Sequence, residues 1–104
     1  MEDAYRQHPK AIILRKGSNP CGKVFSKAEL EISAGLVQKY GAFAIGDEVY
    51  EHIVYKPAEY TYCSNLPGMY ERTISCGSLS KTYSITGWRV GYIFAPTHLA
   101  AALR

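Results

Sequence analysis

The sequence predicts an α/β fold, part of a mostly parallel sheet with helices on its faces. Two continuous apolar runs, residues 11–14 and 42–45, have the composition of strands buried within a sheet. A helix with a capping-box start separates these two runs, and an irregular crossover follows the second. Strand, helix, strand and crossover in this order are typical of a parallel α/β sheet.

Length and composition narrow the classes of protein that the chain can belong to. A chain of 104 residues forms at most one domain, and 47% hydrophobic with 20% charged residues indicates a globular protein. The net charge of +3 comes from scattered basic residues, so we expect no nucleic-acid partner. No apolar run reaches membrane-spanning length and the first residues do not resemble a signal peptide, so we expect no membrane partner.

The cysteines predict a reduced protein. Cys21, Cys63 and Cys76 are odd in number and widely spaced, without the spacing of a metal site. We therefore expect free thiols, a cytoplasmic location and no bound metal.

The first half of the chain contains a helix end, a strand and a helix. Residues 1–8 are interpreted as the end of a helix that Pro9 stops, and residues 11–14 as a strand buried on both faces. Ser26 and Glu29 form a capping box, which predicts that a helix begins there and ends near Gly41. Its apolar face is formed by Leu30, Ala34, Leu36 and Val37.

The second half is predicted to add three strands and a last helix. Residues 42–45 form the second strand, and residues 74–76 begin the third. Residues 90–95 form a fourth strand that we also expect to be buried, and a helix follows at residues 98–104. The loops after the first three strands should converge on one edge, because the carboxyl ends of parallel strands meet there.

The first two loops each carry a polar residue with two possible roles. Asn19 lies in an Asn-Pro-x-Gly sequence that is either a simple turn or a donor of its amide to a ring oxygen. Asp47 is either the N-cap of a short helix over residues 48–52 or a carboxylate that keeps a ring nitrogen protonated. On that helix, Tyr50 would lie on the same face as Asp47, within reach of the ring oxygen.

The third loop concentrates reactive and anion-binding groups in residues 78–91. Lys81 is either an ordinary solvated lysine or an amine that forms an imine with an aldehyde cofactor. Ser78 and Arg89 flank it and could bind an anion, and Ser80 could add a hydroxyl.

Residues 19–22, 47–51 and 78–91 resemble three successive blocks of the class I/II aminotransferases, which use pyridoxal 5'-phosphate (PLP). The resemblance implies that Asn19 and Tyr50 contact the cofactor's ring hydroxyl and that Asp47 pairs with the pyridine nitrogen. It implies that Lys81 is the catalytic Schiff-base lysine and proton shuttle. Phosphate would be bound by Ser78, Ser80 and Arg89. The substrates would be an amino acid and a 2-oxo acid, between which an amino group is transferred. The full-length protein would be a homodimer.

The same resemblance implies how much of such an enzyme the chain contains. Residues 1–104 would be the central part of the fold type I large domain, with the last strand antiparallel. The small domain that grips the substrate carboxylate would be absent, so we expect little or no activity from this chain alone. Three residues depart from the family pattern: Lys16 and Gly17 replace an Asn-Pro pair, and Cys21 replaces a threonine.

Three alternatives remain open from the sequence. A related fold type I lyase or decarboxylase would share the cofactor residues. A truncated, non-catalytic PLP-binding remnant would expose apolar sheet edges and associate. An unrelated small phosphate-binding α/β module is disfavoured, because Lys81 does not follow a Gly-x-x-x-x-Gly-Lys pattern.

Overall fold

The computed structural model describes residues 1–103, which form a four-stranded sheet with one long helix and several short ones. The strands are β1 (Ala11–Arg15), β2 (Phe43–Asp47), β3 (Thr73–Ser78) and β4 (Gly91–Phe94). They lie in the order β1-β2-β3-β4, with the first three parallel and β4 antiparallel to β3. The predicted α/β class, the mostly parallel sheet and the antiparallel last strand are confirmed.

Only one of the helices is long. The helices are α1 (Glu2–Tyr5), α2 (Lys27–Lys39), α3 (Leu79–Thr82) and α4 (Thr97–Ala100). Residues 1–8 were expected to be helical, but only a single turn forms there. The last predicted helix continues from α4 as a 3-10 turn at Ala101–Leu103, and Arg104 lies outside the described residues. Among residues 1–103, no helix has the length and apolar character needed to cross a membrane.

The capping box of α2 is confirmed. The Glu29 amide donates to Ser26 Oγ over 3.3 Å, and the Ser26 amide donates to Glu29 Oε2 over 2.8 Å. A hydrogen bond from Lys23 and those from Ser26 lower the pKa of Glu29 to about 2. The helix ends as predicted, because Gly41 has a φ of 66°, a conformation that glycine adopts without strain.

The core lies between α2 and one face of the sheet. The helix contributes its predicted apolar face, and the strands contribute Leu14 and Ala44. Short segments around the crossover complete the cluster with Leu66 and Met69. Full burial of a side chain such as Leu30 or Met69 stabilises the fold by roughly 1.5–3 kcal/mol.

Apolar side chains of β1 and β4 are exposed, which corrects two expectations. Ile13 in β1 is 65% exposed, although residues 11–14 were expected to be buried on both faces. Ile93 and Phe94 in β4 are 51% and 70% exposed, although residues 90–95 were also expected to be buried. Both strands are edges of the sheet, so a continuous apolar run here does not mean burial within this chain.

Candidate active site

The loops that follow β1, β2 and β3 leave the sheet at the same edge. Arg15 pairs with Asp47 across the sheet, and Asp47 pairs with Cys76. Just beyond, the Lys16 amide donates to the Asp47 carbonyl over 3.3 Å, and the Glu48 amide donates to the Cys76 carbonyl over 2.8 Å. The predicted convergence of the three loops is therefore confirmed.

The first loop is closed by its own backbone and presents Asn19 to solvent. The Gly17 amide donates to the Lys23 carbonyl over 2.7 Å, and the Gly22 amide donates to the Ser18 carbonyl over 2.6 Å. Asn19 is exposed, and its peptide bond to Pro20 is cis. Within residues 1–103 its side-chain amide makes no hydrogen bond, so the amide is free to bind a ligand.

Cys21 in the same loop has an unusually acidic thiol. Its Sγ lies 3.1 Å from the Ser18 hydroxyl. This hydrogen bond, with help from the Lys23 backbone, lowers the pKa of Cys21 below its usual value. The buried Cys63 behaves in the opposite way, because desolvation raises its pKa.

Asp47 stands at the end of β2 with both carboxylate oxygens engaged. Oδ1 accepts from the Val49 amide over 3.4 Å, and Oδ2 lies 3.4 Å from Nε of Arg15. Residues 49–52 form a turn, which corrects the short helix expected over residues 48–52. The reason is that the backbone bonds there, from the Glu51 amide to the Glu48 carbonyl and from the Ile53 amide to the Tyr50 carbonyl, each span only three residues, as in turns. Asp47 therefore caps a turn, and its half-exposed carboxylate still faces a cation.

Tyr50 packs against the first loop. A β-carbon built on Gly17 would lie 3.0 Å from Cβ of Tyr50, so only glycine admits this contact easily. Gly17 also has a φ of 68°, which favours glycine. Tyr50 borders a cavity of about 570 Å³ that Gly17 and Lys23 also line. The first two loops therefore form one packed unit around Tyr50.

In the third loop, Ser78 caps α3 and Lys81 projects from it. Ser78 Oγ accepts from the Ser80 amide over 3.1 Å and lies 2.8 Å from the Ser80 hydroxyl. Ser80 is buried, whereas Lys81 is exposed. In the described part of the chain, the Lys81 ammonium has no hydrogen bond or ion pair. The structure thus places a hydroxyl pair at the start of α3 and an unpaired, exposed lysine on the residue directly after it.

Arg89 lies just before β4 in a left-handed backbone conformation with a φ of 55°. Its guanidinium donates to the Thr86 carbonyl over 3.1 Å and is otherwise exposed. Ser78 Oγ lies 3.1 Å from the carbonyl of Val90, the next residue, so the two anion-binding candidates belong to one corner. An arginine with unused planar donors suits a phosphate or carboxylate.

A buried polar cluster beneath the first two loops was not predicted. Lys16 Nζ lies 2.8 Å from Glu48 Oε2, with side chains only 1% and 3% exposed. The same ammonium donates to the Thr61 carbonyl over 2.9 Å and lies 4.6 Å from the centre of the Tyr60 ring. The Tyr60 hydroxyl donates to Glu48. A lysine in a glycine-containing loop gives no signal of burial, and the nearby tyrosine-rich stretch is the one hint in the sequence.

A second carboxylate extends the cluster towards β4. Glu51 accepts from the hydroxyls of Tyr62 and Tyr92, the latter over 2.6 Å. Burial raises the pKa of Glu51, but these hydrogen bonds outweigh it and the net pKa is lowered. The bond to Glu51 raises the pKa of Tyr92 to about 12, and desolvation raises those of Tyr60 and Tyr62. All three phenols therefore remain protonated donors at neutral pH.

The side chains at this edge match the groups that PLP requires. PLP has an aldehyde, a pyridine nitrogen, a ring hydroxyl and a phosphate. An exposed amine suits the aldehyde, and a carboxylate suits the protonated pyridine nitrogen. A phenol and an amide suit the ring hydroxyl, and an arginine beside a hydroxyl pair suits the phosphate. They belong to Lys81, Asp47, Tyr50, Asn19 and Arg89. The fold and this set define the class as a PLP-dependent α/β protein of fold type I.

Comparison with known proteins identifies the family. Residues 1–104 match the model of the family described as aminotransferase class I and II, and the chain belongs to that family. Members of this family depend on PLP.

Two curated relatives are transaminases. The chain is 44% identical over 100 residues to human kynurenine–oxoglutarate transaminase 1. This match covers 96% of this chain and 24% of that protein. It is 45% identical over 102 residues to kynurenine–oxoglutarate transaminase of Dictyostelium discoideum, covering 96% of this chain and 23% of that protein. The chain thus spans about a quarter of the length of these relatives.

Solved structures of aminotransferases share the fold. N-succinyldiaminopimelate aminotransferase from Mycobacterium tuberculosis superposes with a TM-score of 0.89 at 35% identity, covering 97% of this chain and 27% of that one. An aromatic aminotransferase from Pyrococcus horikoshii gives a TM-score of 0.84 at 38% identity, covering 91% of this chain and 26% of that one.

Proposed function

We propose that residues 1–104 are the cofactor-binding central part of the large domain of a PLP-dependent aminotransferase. The reaction is the transfer of an amino group between an amino acid and a 2-oxo acid. The observation that carries the proposal is the convergence of three loops with Asp47, Tyr50 and Lys81 at one sheet edge, in a chain that matches the family throughout. The proposal places the small domain outside this chain.

When bound, PLP supplies an electron sink for bonds at the α-carbon of the substrate. Lys81 would provide the amine that holds the cofactor and would carry a proton. Asp47, already facing the cation Arg15, would hold a proton on the pyridine nitrogen by its charge. Asn19 and Tyr50 would donate to the ring hydroxyl oxygen and orient the ring.

Phosphate binding falls to the corner between α3 and β4. Ser78 and Ser80 present hydroxyls 2.8 Å apart, and Arg89 supplies a permanent positive charge. An anion held there would fix the cofactor beside Lys81, because all of these residues belong to one short connection. The hydroxyls would orient the phosphate by hydrogen bonds, and the guanidinium would attract it by its positive charge.

For the longer protein, we also propose a pair of substrates and an assembly. The curated relatives are named for kynurenine and oxoglutarate, so these are the first substrates to test. We further place the enzyme in the cytoplasm as a homodimer, the assembly implied by the family.

The test is a PLP titration of the 104-residue chain, followed by borohydride reduction and peptide mapping. We expect a visible absorbance band and a label confined to the peptide that contains Lys81. Lys81→Ala should abolish the label, whereas Lys27→Ala, which removes another exposed lysine, should not. A label spread evenly over surface lysines would contradict the proposal for this chain.

A second candidate follows from the apolar side chains exposed at and just before β4. Trp88 and Phe94 are 77% and 70% exposed, and β4 is an unpaired edge. A non-catalytic remnant would bury such a surface by self-association. Light scattering of the isolated chain tests this candidate: concentration-dependent oligomers without a Lys81 label favour the remnant, and a monomer with the label excludes it.

A further inference from the structure

We propose that Lys16 is a positioning residue of the cofactor site. Through its buried ion pair with Glu48 it holds the turn that presents Asp47 and Tyr50. The inference rests on the proposed function for its link to PLP, and it concerns a residue at which this chain departs from the family pattern.

The position of the Lys16 ammonium is determined by three partners. Glu48 Oε2 lies at 2.8 Å, the Thr61 carbonyl accepts at 2.9 Å, and the Tyr60 ring centre lies 4.6 Å away. The side chain is only 1% exposed, so water cannot replace these partners. The contacts join the first loop to the turn after β2 and to the crossover.

Glu48 transmits this constraint to Asp47. Its carboxylate folds back over Gly46, where any β-carbon would overlap it, and it accepts from the Tyr60 hydroxyl. Asp47, the last residue of β2, points to the other face, because successive side chains along an extended chain alternate. There the Asp47 carboxylate meets Arg15. The turn that begins directly after Asp47 is therefore anchored at the residue that Lys16 holds.

Gly17 extends the same constraint to Tyr50. It follows Lys16 directly and allows Tyr50 to approach its backbone, since an added β-carbon would lie 3.0 Å from Cβ of Tyr50. The Lys16-Gly17 pair thus acts on both sides of the turn: the lysine binds Glu48 before it, and the glycine receives Tyr50 within it.

The test uses amide hydrogen exchange by NMR on the full chain with Lys16→Met, which keeps the stem and removes the charge. The amides of Glu51 and Ile53, which donate to the carbonyls of Glu48 and Tyr50 over 2.9 Å, report the turn. The amide of Ala34, buried in the middle of α2, reports global opening. We expect the turn amides to exchange about tenfold faster relative to Ala34 than in the wild-type chain.

A matched control and a second variant guard against general damage. Lys39→Met removes an exposed lysine that is also ion-paired, at 2.6 Å from Glu2, and should leave the exchange ratio unchanged. Lys16→Met with Glu48→Gln removes both buried charges and keeps an acceptor for Tyr60. This double variant should fold at least as well as Lys16→Met while still loosening the turn.

The link to the cofactor is measured by PLP affinity in the same variants. We expect the dissociation constant for PLP to rise about tenfold or more in Lys16→Met and to stay unchanged in Lys39→Met. Equal acceleration of turn and α2 amides would overturn the positioning role, as would a loosened turn with unchanged PLP affinity. If the wild-type chain fails to bind PLP at Lys81, the proposed function fails, and the exchange ratio still decides whether Lys16 holds the turn.

Discussion

Two lysines at the same edge of the sheet occupy opposite environments. Lys16, after β1, is 1% exposed and bound to a carboxylate, a carbonyl and an aromatic ring. Lys81, after β3, is exposed and has no partner among the described residues. A buried, paired ammonium sets geometry, whereas a free amine is available to react. The half of the site that follows β1 and β2 is thus built within this chain, and the half that follows β3 remains open.

The difference has a simple energetic cause. Burying a charge without a partner costs several kcal/mol, so Lys16 can be buried only because Glu48 and Tyr60 surround it. Lys81 does not incur this cost, because solvent surrounds its ammonium. Substitutions that remove a partner should therefore have large effects in the first half and small effects in the second.

The largest effect is expected from Glu48→Ala. It leaves the Lys16 ammonium buried and unpaired, so the free energy of unfolding should fall by about 3–5 kcal/mol. Urea denaturation followed by circular dichroism measures this loss. Glu31→Ala breaks an exposed pair with Lys27 and should cost at most about 0.5 kcal/mol. Equal costs for the two variants would mean that the buried cluster does not stabilise the fold.

Gly17→Ala tests the contact between the first two loops. The added β-carbon meets Tyr50 in a backbone conformation that disfavours alanine, so we expect a loss of about 2–3 kcal/mol. Gly22→Ala is the matched control: its φ of 62° is similar, but nothing lies within 4 Å of an added β-carbon. It should lose only about 1–2 kcal/mol of conformational strain. Identical losses would show that the Tyr50 contact adds nothing.

A smaller effect with a defined pH dependence is expected from Glu29→Gln at the start of α2. The pKa of Glu29 in the folded chain is about 2, below the ordinary value of 4.5, so the ionised carboxylate stabilises the fold. This contribution is complete above about pH 4.5 and disappears as the pH falls through about 2. Thermal melts of both chains across this range measure it; a difference in melting temperature that grows towards low pH would contradict the assignment.

The smallest effect on stability is expected from Lys81→Ala. Because the side chain is exposed and unpaired in the described structure, the free energy of unfolding should change by no more than about 0.5 kcal/mol. The same substitution should abolish covalent PLP labelling, which separates folding from chemistry. A large loss of stability would show that Lys81 has a structural partner.

Much of the local structure follows from the sequence. The Ser26–Glu29 capping box and Gly41 predicted the ends of α2 because both act within one helical turn. The parallel pairing and the shared loop edge followed from the rules of parallel sheets, and the motif residues at 19, 47, 50, 78, 81 and 89 led to the family. All of these depend on short-range chemistry or on connectivity. The roles of the motif residues toward PLP stay predictions.

Tertiary structure alone decided which groups are buried. An apolar run such as residues 11–14 has the same composition on an edge strand as in the centre of a sheet, so the exposure of Ile13 and Phe94 was not predictable. The turn after Asp47 was not predictable either, because it depends on contacts with residues that are distant in the sequence. Lys16 meets Glu48, 32 positions later, and Thr61, 45 positions later, only because β1 and β2 pair and the crossover returns over them. Pairings at such separations leave no periodic trace in the sequence, because they arise from the fold and not from neighbouring residues.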